Sequence, residues 1–167
     1  ADKLEGGAGA DKFVFSGAAA NSLGLDTLFD FSGVTGFSSS PGAGGGDGDD
    51  IVLDTSDLGL ASIAFESKTW DGSANALALT TDAATVVVLK GAAGTAANAA
   101  TALAAGDGTA TNAVVIYNDS ASSNTLTMFH TTNLTNNGDE NALATFDDIT
   151  SLTASANLVA GDFDVQA

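Results

Sequence analysis

Residues 6–14 read Gly6-Gly7-Ala8-Gly9-Ala10-Asp11-Lys12-Phe13-Val14, and residues 45–53 read Gly45-Gly46-Asp47-Gly48-Asp49-Asp50-Ile51-Val52-Leu53. Both match the nonapeptide G-G-x-G-x-D-x-U-x, in which U is a large apolar residue. The opening Ala1-Asp2-Lys3-Leu4-Glu5 fits the back half of one more unit, with Asp2 and Leu4 placed as Asp11 and Phe13 are later. Each unit supplies a Gly/Asp turn and then a very short strand centred on U. Glycine suits such turns because several positions need positive φ or close backbone approach. The pattern predicts a mainly β fold that begins as the end of a parallel β-roll.

The turns also have a ligand chemistry. Calcium is a hard cation that takes about six to eight oxygens from carboxylates and backbone carbonyls. A glycine-rich turn leaves its carbonyls unshielded, and one aspartate at a fixed offset adds charge and oxygens. The candidate metal ligands are therefore Asp2, Asp11 and Asp50, with the turn residues Gly6, Gly7, Gly9, Gly45, Gly46 and Gly48. Turns stack every second repeat, so Asp2 and Asp11 belong to opposite edges and each needs a partner from another coil. Asp26 or Asp30 is the expected partner of Asp11, and the partner of Asp2 is expected upstream of the chain.

Composition agrees with a cation-dependent chain. Four lysines and no arginine stand against 21 acids, for a net charge of −17. Nucleic acid and anionic lipid need Lys/Arg to neutralise phosphate, so neither is an expected partner. Large acidic surplus often means disorder, yet 44% of the residues are apolar and fall in short runs that can form a core. Cysteine is absent, which removes any disulfide framework. No run approaches the roughly 18 apolar residues of a membrane span. The chain opens inside a repeat unit, so a fragment of a longer protein is expected.

Beyond the repeats, Asp26-Thr27-Leu28-Phe29-Asp30-Phe31 alternates as a short strand does. A Gly/Ser-rich loop with the sole proline, Pro41, leads into Ile51-Val52-Leu53. Strand-like runs follow at Ile63–Phe65, Ala76–Leu79 and Val86–Leu89, with a turn signal at Asp71-Gly72. The Ala-rich stretch 92–105, ending before Gly106, predicts a helix. Ala113–Tyr117 and Asn124–His130 predict a hairpin, and Leu143–Phe146 a further strand. Leu152–Asn157 reads as a helical turn. The expected division is 1–58, the end of the roll with its capping segment, and 59–167, a β-rich C-terminal region with one or two short helices.

The segment Gly6–Phe15, then Asp26–Phe31, then Asp50-Ile51-Val52-Leu53-Asp54 resembles the closing part of RTX (repeats-in-toxin) arrays. Its form is G-A-D-x-F-V-F, D-x-I-x-D-F, D-x-I-D-L, with Leu28 replacing isoleucine. The resemblance implies that Asp11, Asp26, Asp30 and Asp50 supply the last calcium ligands and that this segment caps the roll. It also implies export by type I secretion, for which Leu158–Val165 is similar to the uncleaved C-terminal signal. Asp164 interrupts the apolar residues usual there. The Thr/Ala/Asn/Asp-rich remainder is similar to Gram-negative S-layer subunits.

Enzymatic chemistry has little footing in the sequence. His130 is the only histidine, which excludes His-Glu-x-x-His within the chain. No serine sits in G-x-S-x-G, and the acid pairs Asp139-Glu140 and Asp147-Asp148 read as solvated or calcium-binding groups. Trp70 and Tyr117 read as core or rim residues. The expectation is a non-enzymatic, secreted bacterial cell-surface protein that binds Ca2+, uses the type I secretion machinery, self-associates into a lattice and does not insert in membranes. The alternative expectation is the calcium-binding accessory module of an exported epimerase, protease or lipase, or of an RTX adhesin.

Overall fold

Val86-Val87-Val88-Leu89 has no alternation, and all four side chains are buried. An uninterrupted apolar strand is stable only where both faces of its sheet are covered. That condition organises the computed structural model, which describes residues 2–6, 11–16, 26–29, 50–60, 62–80, 84–106, 111–121, 125–133, 140–146, 158 and 160–166.

The strands are β1 (Lys3–Glu5), β2 (Lys12–Phe15), β3 (Asp26–Phe29), β4 (Asp50–Asp54), β5 (Phe65–Trp70), β6 (Val86–Gly91), β7 (Thr111–Asp119), β8 (Thr125–Asn133), β9 (Asn141–Phe146) and β10 (Phe163–Gln166). The helices are α1 (Thr55–Leu58) and α2 (Ala96–Gly106), and a 3₁₀ turn spans Ala160–Asp162. A seven-stranded sheet has the order β1-β3-β9-β8-β7-β6-β5, and a three-stranded sheet the order β10-β4-β2. The chain is mainly β, as its sequence predicts.

Successive strands at the N-terminus alternate between these sheets: β1 and β3 lie in the larger, β2 and β4 in the smaller. The pairs β1–β3, β3–β9, β2–β4 and β4–β10 are all parallel. Parallel order also holds across β5–β6–β7, whereas β7–β8 and β8–β9 are antiparallel.

Two apolar clusters lie on opposite faces of the larger sheet. Val86, Val88, Val114, Ile116, Leu126, Met128 and Phe146 meet Phe13, Phe15, Ile51, Leu53 and Phe163 of the smaller sheet. Val87, Leu89, Val115, Tyr117 and Phe129 meet Ala99, Ala100 and Leu103 of α2. The layers therefore run small sheet, large sheet, helix. Strands from both sides of residue 58 share both sheets and the first cluster, because β3 pairs with β9 and β4 with β10.

The predicted helix is present but starts at Ala96. Residues 92–94 are already engaged: Ala92 N–H donates to Trp70 O at 3.1 Å, and Gly94 N–H to Asn118 O at 2.9 Å. Thr95 then caps the helix, its Oγ1 accepting from Asn98 N–H at 3.2 Å. The hairpin is β7–β8, with Val115 opposite Phe129. The run at Ala76–Leu79 is not a strand; Leu77 N–H donates to Ala102 O of α2 at 2.8 Å instead of to a neighbouring strand. The predicted strand at Ile63–Phe65 begins at Phe65 and extends to Trp70. Residues 17–25, the Pro41 loop and Leu152–Asn157 lie outside the described residues.

Candidate metal centre

Each described aspartate of the repeats stands beside the start of a parallel strand. Asp2 precedes β1 and Asp26 opens β3, and Lys3 is level with Thr27. The Asp2 N–H donates to Asp26 Oδ1 at 2.8 Å. The Thr27 N–H donates to the Asp2 carbonyl, also at 2.8 Å. Asp26 therefore stands against Asp2, in the larger sheet. Of the two expected partners of Asp11, Asp26 thus opens a strand of the other sheet from Asp11, and Asp30 lies outside the described residues.

Asp11 precedes β2, and the Asp50 N–H donates to its carbonyl at 2.8 Å. The register pairs Lys12 with Asp50 and Phe13 with Ile51. The motif alignment would instead put Asp50 level with Asp11 and Val52 level with Phe13. Core packing selects the observed register: Phe13, Phe15, Ile51 and Leu53 are all buried on one face, while Val14 is 45% exposed on the other. A one-residue slip would exchange those faces. Asp50 consequently faces Lys12, whose Nζ lies 3.7 Å from its Oδ2.

Backbone fits tightly around Asp11. A Cβ placed on Gly6 would stand 2.7 Å from Asp11 Oδ2 and 2.9 Å from Asp11 Cβ, so glycine suits this position against the Asp11 side chain. Carboxylate oxygens such as those of Asp11 suit a hard cation. Among the described residues no group of three or more His, Cys, Asp or Glu side chains could hold a metal by itself. Any further oxygens would have to come from backbone carbonyls or from the rest of the repeats. Gly7, Gly9, Asp30, Gly45, Gly46 and Gly48 lie outside the described residues.

One feature of this end was not legible as part of a site. Asp164 of β10 accepts from Lys12 Nζ at 2.6 Å. The Asp164 carboxylate, with Asp50 behind it, raises the Lys12 pKa above its ordinary value. Lys12 is thereby a fixed cation on the outer face of the smaller sheet. Of the segment Leu158–Val165, Ala160–Asp162 form the 3₁₀ turn and Phe163–Val165 lie in β10, with Phe163 level with Ile51.

The remaining chemistry-bearing residues are built into packing. His130 Nε2 lies 2.9 Å from Leu58 O in a buried contact between β8 and α1. Trp70 is buried and its indole N–H donates to Ser73 O at 2.8 Å. Asp71 closes the turn after β5: its Oδ1 accepts from Ser73 Oγ at 2.6 Å and Ser73 N–H at 2.9 Å. The Ser73 hydroxyl and then its N–H hold the Asp71 carboxyl below the usual carboxylate range. No helix is long and apolar enough to cross a membrane among the described residues. No protein-family model, curated protein or solved structure matches the chain.

Proposed function

We propose that this chain is a calcium-stabilised structural module, the end of a parallel β-roll of the RTX type, from a secreted bacterial cell-surface protein of the S-layer kind. The observation that carries the proposal is the arrangement of the repeat aspartates. Glycine-rich turns lead into parallel strands that alternate between two sheets, Asp2 abuts Asp26, and Gly6 leaves room around Asp11.

Asp2 and Asp26 would hold one Ca2+, and Asp11 with the second repeat another. The ion supplies charge neutralisation; the chain supplies carboxylates and bare carbonyls. In low calcium, the 21 acids repel one another and favour an extended chain. Extracellular calcium modules have Kd on the order of 10⁻⁴–10⁻³ M. At millimolar calcium each site then contributes about 1 kcal/mol to the folded state. Such a chain, exported by the type I route, completes its fold only outside, where carboxylates shared between neighbouring copies support self-association.

Size-exclusion chromatography with light scattering, run in EGTA and in millimolar calcium chloride, tests the reading. An expanded chain that compacts or assembles with calcium is expected. A profile indifferent to calcium would overturn it.

A further inference from the structure

The negative charge of this chain is not spread evenly. Residues 1–60 carry ten acids and two lysines, a net −8. Residues 134–167 carry six acids and no lysine, a net −6. Residues 61–83 hold three acids and one lysine, a net −2. Residues 84–133 hold Asp107, Asp119 and Lys90, a net −1 over fifty positions. The nearly neutral segment is also the one that forms β6, α2, β7 and β8.

The cores divide along the same line. Every buried member of the helix-side cluster lies between Trp70 and Phe129. The inter-sheet cluster, by contrast, needs Phe13, Phe15, Ile51, Leu53, Phe146 and Phe163 from the acidic segments. Backbone bonds tie the neutral part to itself and to the segment before it: Ser120 N–H donates to Gly94 O at 2.8 Å, and Leu77 N–H to Ala102 O at 2.8 Å. The acid within β5, Glu66, has its own cation, Lys68 Nζ, at 2.9 Å.

We infer that β5–β8 with α2 form a platform that folds without calcium, and that β1–β4, β9 and β10, the strands of the two acidic segments, dock on it only when the cation is present. The inference rests on the calcium reading above and sharpens it: calcium gates a docking step, not the folding of the whole chain. Self-repulsion acts where the acids are, and the span from β5 to β8, with five acids and two lysines, carries a net of only −3. Local stability then differs between the two parts, as the distribution of buried apolar contacts requires. In the undocked state the face bearing Val86, Val88, Val114, Ile116, Leu126 and Met128 is bare, and calcium withdraws it from solvent.

Amide hydrogen exchange on the full chain, in EGTA and in millimolar calcium chloride, tests this together with the emission of Trp70, the only tryptophan. Trp70 is buried in the platform and reports its integrity. The expected result in EGTA is exchange at least about a hundredfold faster in β1–β4, β9 and β10. Protection in α2 and β6–β8 and the Trp70 emission should hold, and a hydrophobic dye should bind. Loss of protection throughout, with a red-shifted Trp70, would overturn the inference and leave the calcium reading standing. Exchange indifferent to calcium in every strand would overturn both.

Discussion

Asp2 and Asp26, 24 residues apart in the chain, lie side by side: the Asp2 N–H donates to Asp26 Oδ1 at 2.8 Å. Two carboxylates at the heads of adjacent parallel strands repel one another at neutral pH, which a shared cation reverses. The hydrogen bond fixes the geometry, and in the proposed calcium reading the cation would set the energy. These two contributions can be separated by substitution.

Asp26→Asn keeps an acceptor for the Asp2 N–H and removes one negative charge. In EGTA the variant should be as stable as the parent or more so, because repulsion falls. In millimolar calcium it should lose about 1 kcal/mol relative to the parent, one site's contribution. Thermal unfolding followed by circular dichroism in both buffers reads the difference. A calcium-dependent gap equal to the parent's would show that Asp26 holds no ion.

Acid should loosen α1 through Asp54. Its Oδ1 accepts from Ser56 Oγ at 2.7 Å, Ser56 N–H at 3.0 Å and Asp57 N–H at 3.1 Å. The Ser56 hydroxyl first, and then the Asp57 N–H, lowers its pKa below the ordinary 3.8. A depressed pKa means stability present above the unfolded-state value and lost as pH falls through the folded one. Asp54→Asn, which keeps the capping acceptor, should therefore flatten the fall in Tm below about pH 4. Melting curves between pH 2 and 6 would contradict this if the parent and the variant lose Tm in parallel.

The repeats made β2 and β4 legible, because G-G-x-G-x-D announces a turn and the apolar residue after it a strand. The helix was legible from alanine and the hairpin from its two β-branched runs. Register was not. Ile51-Val52-Leu53 is apolar at three successive positions, so alternation is silent, and only the burial of Phe13 and Phe15 places Ile51 opposite Phe13. Partnership was not legible either, since Asp2 finds Asp26 through a sheet whose strands are distant in sequence. Strand β10, Phe163-Asp164-Val165-Gln166, has too few apolar residues to reveal that it joins β4. Local patterns carry elements; non-local pairing decides the site.

Tyr117, the only tyrosine, should resist ionisation. It is 2% exposed, with Trp70 edge-on at 6.3 Å and Phe129 edge-on at 5.7 Å. Burial, and then the charge of Asp119, raises its pKa above the ordinary 10.0. The folded state thus binds this proton more tightly, and stability present below the unfolded-state pKa declines as pH rises past it. Ultraviolet titration should show no phenolate in the folded protein as pH passes that value, and full phenolate once denaturant is added. Phenolate appearing at pH 10 without unfolding would sink this account.

Gly94→Ala should damage the platform more than a surface glycine change does. A Cβ there would run into the Trp70 ring and come within 2.6 Å of Gly72 O. Neither backbone nor a buried indole can give way freely, so the cost should be about 1–3 kcal/mol, as in other overpacked sites. The Trp70 emission should shift along with Tm. A variant with the parent's Tm and spectrum would show that this contact is loose.

Phe163→Ala and Asp164→Asn separate the two ways in which β10 is held. Phe163 is 6% exposed, lies level with Ile51 and packs 5.7 Å from Phe65, centroid to centroid. Truncating it removes a buried ring from the inter-sheet core, at about 3–5 kcal/mol. Asp164 pairs with Lys12 at 2.6 Å, but both side chains are more than half exposed, at 52% and 61%. Exposed pairs exchange good hydration for a constrained contact and contribute little. Denaturant unfolding in millimolar calcium should therefore rank Phe163→Ala far below the parent and Asp164→Asn beside it. The reverse order would mean that charge, not packing, closes the smaller sheet.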